Sequence, residues 1–301
     1  MSGDAIELVY LARGPGPAPQ RMNVSKKKVL VTGAQGHIGK MFTRRYADRY
    51  QLRLMDRQEI SEVPSGAQAI MADITDTDAV MAGMDGIDAV VHLAGDPSPR
   101  ASWDSVLANN IGGTRTVFEA ARQQGVKRVV YASSSHTCAE HVLEFGAVGP
   151  SAPIRPDSIY GVSKVFGEAL ARYYSDKHGL SAICLRIGGC HGSDEVEAQR
   201  QMLTRMLSSD HAFPYKAWQN VSIWISNRDV AQLIYRSIEA DIQFGIFYGA
   251  SDNQPAVLDI SEAKRRLGYT PEDSAQAMLG SSFGPDSGVS GDAPASSVTI
   301  G

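Results

Sequence analysis

The sequence predicts an α/β fold: a doubly wound parallel sheet with helices on both faces and a small lobe at its C-terminal end. Three observations carry this expectation. Short β-rich apolar runs recur along the first two-thirds of the chain, each followed by a stretch of helical period. One run, "IDAVVHLAG" (87–95), is apolar almost throughout, as a strand covered on both faces must be. Strands separated by helices pair in parallel through right-handed crossovers, which distributes the helices over both faces.

The elements follow in order. "KVLVTG" (28–33) is the first strand, and "HIGKMFTRRYADRY" then places Ile38, Met41, Phe42 and Tyr46 on one helical face. "QLRLMD" (51–56) and "AQAIMAD" (67–73) are the second and third strands, and 87–95 is the fourth. A long helix is expected around 101–124, with Val106, Leu107, Ile111, Thr114, Val117, Phe118 and Ala121 inward. "KRVVYASS" (127–134) is the fifth strand, Asp157 is expected to cap a helix running to about His178, and "LSAICLRIG" (180–188) is the sixth strand. After residue 190 the alternation loosens. Residues 26–190 are therefore expected to form the main α/β domain, and 191–275 to complete the sheet and build the small lobe. Residues 1–25 and 276–301, poor in residues that could form a core, are expected to be tails, with Met22 a candidate start. Asp4, Glu7 and "RGPGPAPQ" make the N-terminus unlike a secretory signal.

Composition narrows the function classes. The chain has 301 residues, 43% hydrophobic and 21% charged, enough for a large core. Twenty-nine basic against 33 acidic residues give a net charge of −4, which argues against nucleic acid or an anionic membrane as partner. No apolar run approaches the ~20 residues of a membrane span. Cys138, Cys184 and Cys190 form no CxxC pair, so neither a disulfide framework nor a metal site is expected, and a reducing cytoplasm fits.

The stretch "VTGAQGHIG" sits between the first strand and the first helix. There Gly33 allows a tight turn, Gly36 lets a pyrophosphate approach the backbone, and Gly39 lets the helix pack against the sheet, with the helix N–H groups facing the phosphates. Gln35, His37 and Ile38 complete that loop. Asp56, at the end of the second strand, would accept hydrogen bonds from a ribose diol and repel a 2′-phosphate, which favours NAD over NADP. Arg57 beside it is a cation that could hold such a phosphate.

Tyr160 and Lys164 lie one helical turn apart and share a face. An ammonium there and a positive nicotinamide ring would both favour the phenolate and lower the tyrosine's pKa from its ordinary value of about 10. Tyr160 could then exchange a proton with a substrate hydroxyl while hydride passes to or from the nicotinamide. Ser135, at the end of the fifth strand, is expected to hold the substrate oxygen, with Ser134 as a second contact.

The TGxxGxxG spacing, "ADITD" (72–76), "HLAG" (92–95), "NNIGGT" (109–114) and "YGVSK" (160–164) together resemble the extended short-chain dehydrogenase/reductases. The resemblance implies a Rossmann sheet, NAD as cofactor and Tyr160, Lys164 and a serine as the catalytic set. It implies that Asp73, with Ile74, contacts the adenine, and that Leu93, Ala94 and Gly95 run past the adenine ribose. It also implies that Asn110 braces the central strands, that Ile187 lies by the cofactor and that Lys164 reaches the nicotinamide ribose. Paired helices of the family often form a homodimer, which the apolar faces at 101–124 and 157–178 would permit.

Within that superfamily, "VVYASSSHT", "RPDSIYGVSKVFGEALARYYSDKHGLSAICLRIGGC" and "SIWISNRDVAQLI" resemble the uronate dehydrogenases. "RIGGCHGSD" lacks the Asn and Pro of the nucleotide-sugar enzymes, and the lobe is short, so the resemblance implies a small sugar-like substrate. The substrate-binding positions depart from that family. Ser135 stands at its asparagine, Gly189 at its serine, and Gln219 at its carboxylate-binding arginine, with Lys216 and Arg228 the nearest other cations. A serine expected after the H-L-x-G motif is replaced around Pro97-Ser98. An arginine clamp on a carboxylate is roughly twice as strong as a neutral hydrogen bond, so its loss implies a different ligand. His136 could reach the substrate or cap its loop, while His92 is expected to be structural and Trp224 to pack in the lobe. The expected function is an NAD-dependent oxidoreductase acting on a small sugar-like alcohol. The alternatives are a sugar or nucleotide-sugar epimerase or dehydratase that retains transiently reduced NAD, and a non-enzymatic NAD-binding regulator.

Overall fold

The chain enters the sheet at β1 (Lys28–Thr32), turns through the glycine loop into α1 (His37–Tyr46) and returns as β2 (Gln51–Asp56) and β3 (Gln68–Met71). Helix α2 (Thr77–Gly83) leads to β4 (Ala89–His92). A helical run follows, beginning at Trp103–Ser105, widening to a π-helix over Val106–Gly113 and closing as an α-helix over Thr114–Gln123; together these are α3. Then come β5 (Arg128–Ser134), a single 3₁₀ turn (Ser135–Thr137), the long α4 (Ile159–His178) and β6 (Ser181–Ile187). Helices α5 (Val196–Ser208) and α6 (Asn227–Glu239), strand β7 (Phe244–Gly249), a π turn (Ala263–Leu267) and α7 (Ala275–Leu279) complete it. This computed structural model describes residues 26–141, 148–208, 221–254 and 256–280.

All seven strands are parallel, in the order β3-β2-β1-β4-β5-β6-β7. The order reverses between β1 and β4, and this switch point opens a crevice at the carboxyl ends of the strands, where doubly wound sheets bind ligands. Alternation along each strand feeds two cores. Val29 and Val31 enter the cluster on the side of Phe42, Val230 and Ile234, whereas Leu30 enters the cluster of Val117, Phe118 and Tyr174.

Six strands lie where the sequence placed them, within two or three residues at each end. Four details differ. Leu107, expected inward, is 44% exposed, because the π-helix rotates the residues after Val106 away from a strict α period. The cap of α4 is Ser158, whose side chain accepts from the Gly161 N–H, and Asp157 is turned to a different partner. Strand β7 and helix α6 emerge from the segment where alternation had loosened. The lobe also runs past residue 275: Leu203, Val221, Trp224, Ala275 and Leu279 form its own small core, so 276–279 belong to a packed helix. Residues 1–25 and 281–301 lie outside the described residues.

Candidate active site

The glycine loop rises from β1 and folds over the segment that follows β4. Gly33 has φ +72°, a conformation costly for any side chain, and a Cβ on it would stand 2.7 Å from the Ala94 nitrogen. Its N–H and that of Ala34 both donate to the Met55 carbonyl at 2.9 and 3.2 Å, tying the loop to β2. Gly39 acts differently from its expected role. Its missing Cβ clears the carbonyls of Gly33 and Ala34, at 2.5 and 2.7 Å, so it packs the helix onto the loop rather than onto the sheet. Gly36 is exposed and stands at the N-cap of α1 with no side chain capping the helix. The first N–H groups of α1 are therefore free to meet an anion, and the helix dipole favours one there.

The neighbouring residues shape this cradle. The Asp56 carboxylate accepts from the backbone N–H of Gln35 (2.9 Å) and of Gln58 (3.0 Å), so it orders the loop while keeping lone pairs for a diol. Arg57 is exposed at the same turn. Gln35 reaches Ser61, and His37 Nε2 pairs with the Asn227 amide oxygen at 2.8 Å, joining the loop to the start of α6. Ile38 is half-buried. Asp73 accepts from Thr75, Ile74 is buried against Gly113, and Leu93 donates its N–H to the Thr32 carbonyl.

Asn110, inside the π-helical stretch, accepts from the Asp96 N–H at 2.7 Å and donates to the Asp96 carbonyl and the Ser163 hydroxyl. It thus braces the loop after β4, including Ala94 and Gly95, against α4 rather than bracing the strands. His92 is 1% exposed, pairs with Thr32 and Thr114 hydroxyls, and is pushed down to about 3 by burial, with the Lys164 charge adding to the effect. It is structural, as expected.

Tyr160 and Lys164 face the end of β5 from the buried side of α4. The Lys164 ammonium donates to the Ala132 carbonyl at 2.8 Å and stands 5.5 Å from the centre of the Tyr160 ring. Burial pushes it down to about 8. Tyr160 is shifted the other way from the sequence expectation. Burial raises its phenol above the usual value, the Ser134 hydroxyl pulls it back, and the Asp96 and Asp157 charges add to the rise. The ammonium faces the ring and Ala132, and it does not outweigh desolvation.

Of the serines at the end of β5, Ser134 is the one whose hydroxyl pulls the Tyr160 phenol down, and it also accepts from the His136 N–H at 3.2 Å. Ser134 is the last residue of β5 and Ser135 begins the 3₁₀ turn, while Ser133 is the strand residue whose hydroxyl meets α4, at Glu168. The His136 ring lies edge-on to Tyr160, at 5.6 Å between centroids, with its Nδ1 held by Asp157 at 2.8 Å. His136 therefore lies beside Tyr160, and Asp157 holds its Nδ1.

Other expected contacts are less free. Both backbone groups of Gly189 are committed, its N–H to Ile223 and its carbonyl to Ile225, and Ile187 is buried at the end of β6. The Arg228 guanidinium is taken by Asp273, at 2.5 and 2.6 Å, and by Glu272, which removes it as a carboxylate clamp. Gln219 and Lys216 lie outside the described residues. Sequence reasoning missed Asp157, Asn227, Glu168 and Arg186, although Glu168 falls one turn beyond Lys164 on the same helical face.

A seven-stranded parallel sheet with a glycine loop at its switch point defines a dinucleotide-binding α/β fold. The chain matches the NAD dependent epimerase/dehydratase family over residues 29–246 and belongs to it. It is 38% identical over 264 residues to an NAD-dependent glucose-6-phosphate dehydrogenase of Haloferax volcanii, covering 82% of this chain and 94% of that one. It is 36% identical over 259 residues to a uronate dehydrogenase of Pseudomonas putida, covering 83% and 86%. Among solved structures, a uronate dehydrogenase mutant from Agrobacterium tumefaciens complexed with NAD superposes with a TM-score of 0.68 at 34% identity, covering 84% of this chain and 87% of that one.

Proposed function

We propose that the protein is an NAD-dependent dehydrogenase that oxidises a hydroxyl of a small sugar-like substrate, of the aldose or uronic acid type. The observation that carries this reading is the seating of Tyr160 and Lys164 at the end of β5, with the Lys164 ammonium bonded to the Ala132 carbonyl at 2.8 Å and 5.5 Å from the Tyr160 ring, in a sheet whose glycine loop leads into the uncapped start of α1. The exposed Gly36, the free N–H groups of α1 and Asp56 suit a diphosphate and an adenosine ribose. When bound, NAD accepts hydride at its nicotinamide and brings a positive charge towards the phenol.

In the oxidative direction Tyr160 takes the proton of the reacting hydroxyl, while Ser134 holds the oxygen in line with it. Lys164 fixes the Tyr160 face and supplies the positive charge that a phenolate needs. Asp157 fixes Nδ1 of His136, which leaves Nε2 for a sugar hydroxyl or carboxylate. The named relatives act on uronate and glucose-6-phosphate, and a third, 35% identical, is an L-arabinose 1-dehydrogenase from Haloferax volcanii. These names support a substrate of the aldose or uronic acid type.

The two helices α3 and α4 also expose Trp103, Leu107, Ile159, Val162 and Tyr173. That apolar band supports a homodimer through these helices. Three cysteines without disulfides fit a reducing cytoplasm, and no helix among the described residues is long and apolar enough to cross a membrane.

The test is a panel of aldoses, sugar phosphates, uronic acids and polyols with NAD and NADP, following absorbance of the reduced nicotinamide. Net NADH with an aldose or uronic acid supports the reading. Sugar conversion without net NADH would replace it with an epimerase or dehydratase, and NAD binding with no conversion of any sugar would replace it with a regulator.

A further inference from the structure

Behind the site lies a buried ion pair that the mechanism does not use. Glu168 and Arg186 have side chains 4% and 2% exposed. Arg186 Nε and Nη2 donate to the two carboxylate oxygens at 2.8 and 2.9 Å, and the Ser133 hydroxyl donates to Oε1 at 2.6 Å. The other arm of Arg186 reaches the Tyr248 hydroxyl (3.4 Å) and the Cys138 sulfur (3.3 Å).

The placement is specific. Two successive residues of β5 meet two residues one turn apart on α4, with Tyr160 one turn earlier on the same helix: the Ala132 carbonyl accepts from Lys164, and the Ser133 hydroxyl donates to Glu168. Ser133 and Arg186 are themselves paired across β5 and β6. A buried ion pair contributes little net stability once its desolvation is counted, whereas its directional bonds fix geometry. We infer that Glu168, held by Arg186, is a positioning residue that sets the register of α4 on β5 and so seats Tyr160 at the end of that strand. The inference rests on the oxidoreductase reading above.

The test compares Glu168→Gln and Ser133→Ala with a control, Arg128→Lys. Arg128 donates to the carbonyls of Ser237, Ile238 and Ile242 at the opposite end of the sheet, far from the site. With the best sugar of the panel, Glu168→Gln should lose roughly ten- to a hundredfold in kcat with the KM for NAD little changed, as expected for a small misplacement of a reacting group. Ser133→Ala, which keeps the ion pair and adds no charge, should show the same split in milder form. Arg128→Lys should lower Tm and leave kcat unchanged.

A readout without turnover separates this inference from the proposed substrate class. In 3-fluorotyrosine-labelled protein, the fluorine NMR resonance that disappears in Tyr160→Phe should move in Glu168→Gln and Ser133→Ala and stay in place in Arg128→Lys. An inactive sugar panel with a moved resonance would sink the substrate reading and keep the positioning role. An unmoved Tyr160 resonance in Ser133→Ala, or a kcat that follows Tm equally in all three variants, would overturn it. Should Glu168→Gln fail to fold, the Ser133→Ala result decides.

Discussion

Acid should loosen the nucleotide cradle through His92. The imidazole is enclosed between β1 and α3, bound to the Thr32 hydroxyl at 2.8 Å and the Thr114 hydroxyl at 3.2 Å, and Thr32 is the residue from which the glycine loop springs. Its pKa falls from 6.5 to about 3 on folding, chiefly by burial. The unfolded chain therefore takes up a proton on this group before the folded one does. Stability linked to His92 is fully present above pH 6.5 and is lost as the pH falls towards 3. Integrated from pH 7 to pH 5, that difference amounts to about 2 kcal/mol. The measurement is urea unfolding at both pH values for the wild type and for His92→Gln, whose buried amide does not titrate in this range. The wild type should lose about 2 kcal/mol more than the variant over the interval. Equal losses would show that the imidazole charges freely in the folded state, and the reading of His92 as a neutral brace would fall.

The remaining expectations concern the site and the surface. Tyr160→Phe should lower kcat by roughly 10²–10⁴-fold with the Kd for NAD nearly unchanged, measured by initial rates and by calorimetry. Ser134→Ala should cost more of kcat than Ser135→Ala; the reverse order would return the substrate-holding role to Ser135. Gly39→Ala drives a methyl against the carbonyls of Gly33 and Ala34, so it should weaken NAD binding and lower Tm together. Leu107→Glu with Val162→Glu places charge on the exposed band of α3 and α4. Sedimentation should report a dimer for the wild type and a monomer for the variant, as the proposed homodimer requires.

Much of this was legible because the relevant rules are local. Period-two and period-3.6 patterns marked six strands and the main helices, and a tight turn that only glycine allows marked the loop at Gly33. Tyr160 and Lys164 could be paired because four residues on a helix is one turn. Beyond residue 190 the local signal failed. Strand β7 contains two glycines in six residues, and the lobe core draws on residues as distant as Leu203 and Leu279.

The chain by itself therefore determined the sheet, the dinucleotide loop and the helix face bearing the phenol and ammonium, since each follows from spacing along one element. Only the tertiary structure decided that Ser133 meets Glu168, that burial raises the Tyr160 phenol, that Asp157 serves His136, and that Arg228 is already engaged. Those outcomes depend on which side chains from separate elements compete for one place, and on how much water is excluded when they meet. No pattern within a single element carries that information.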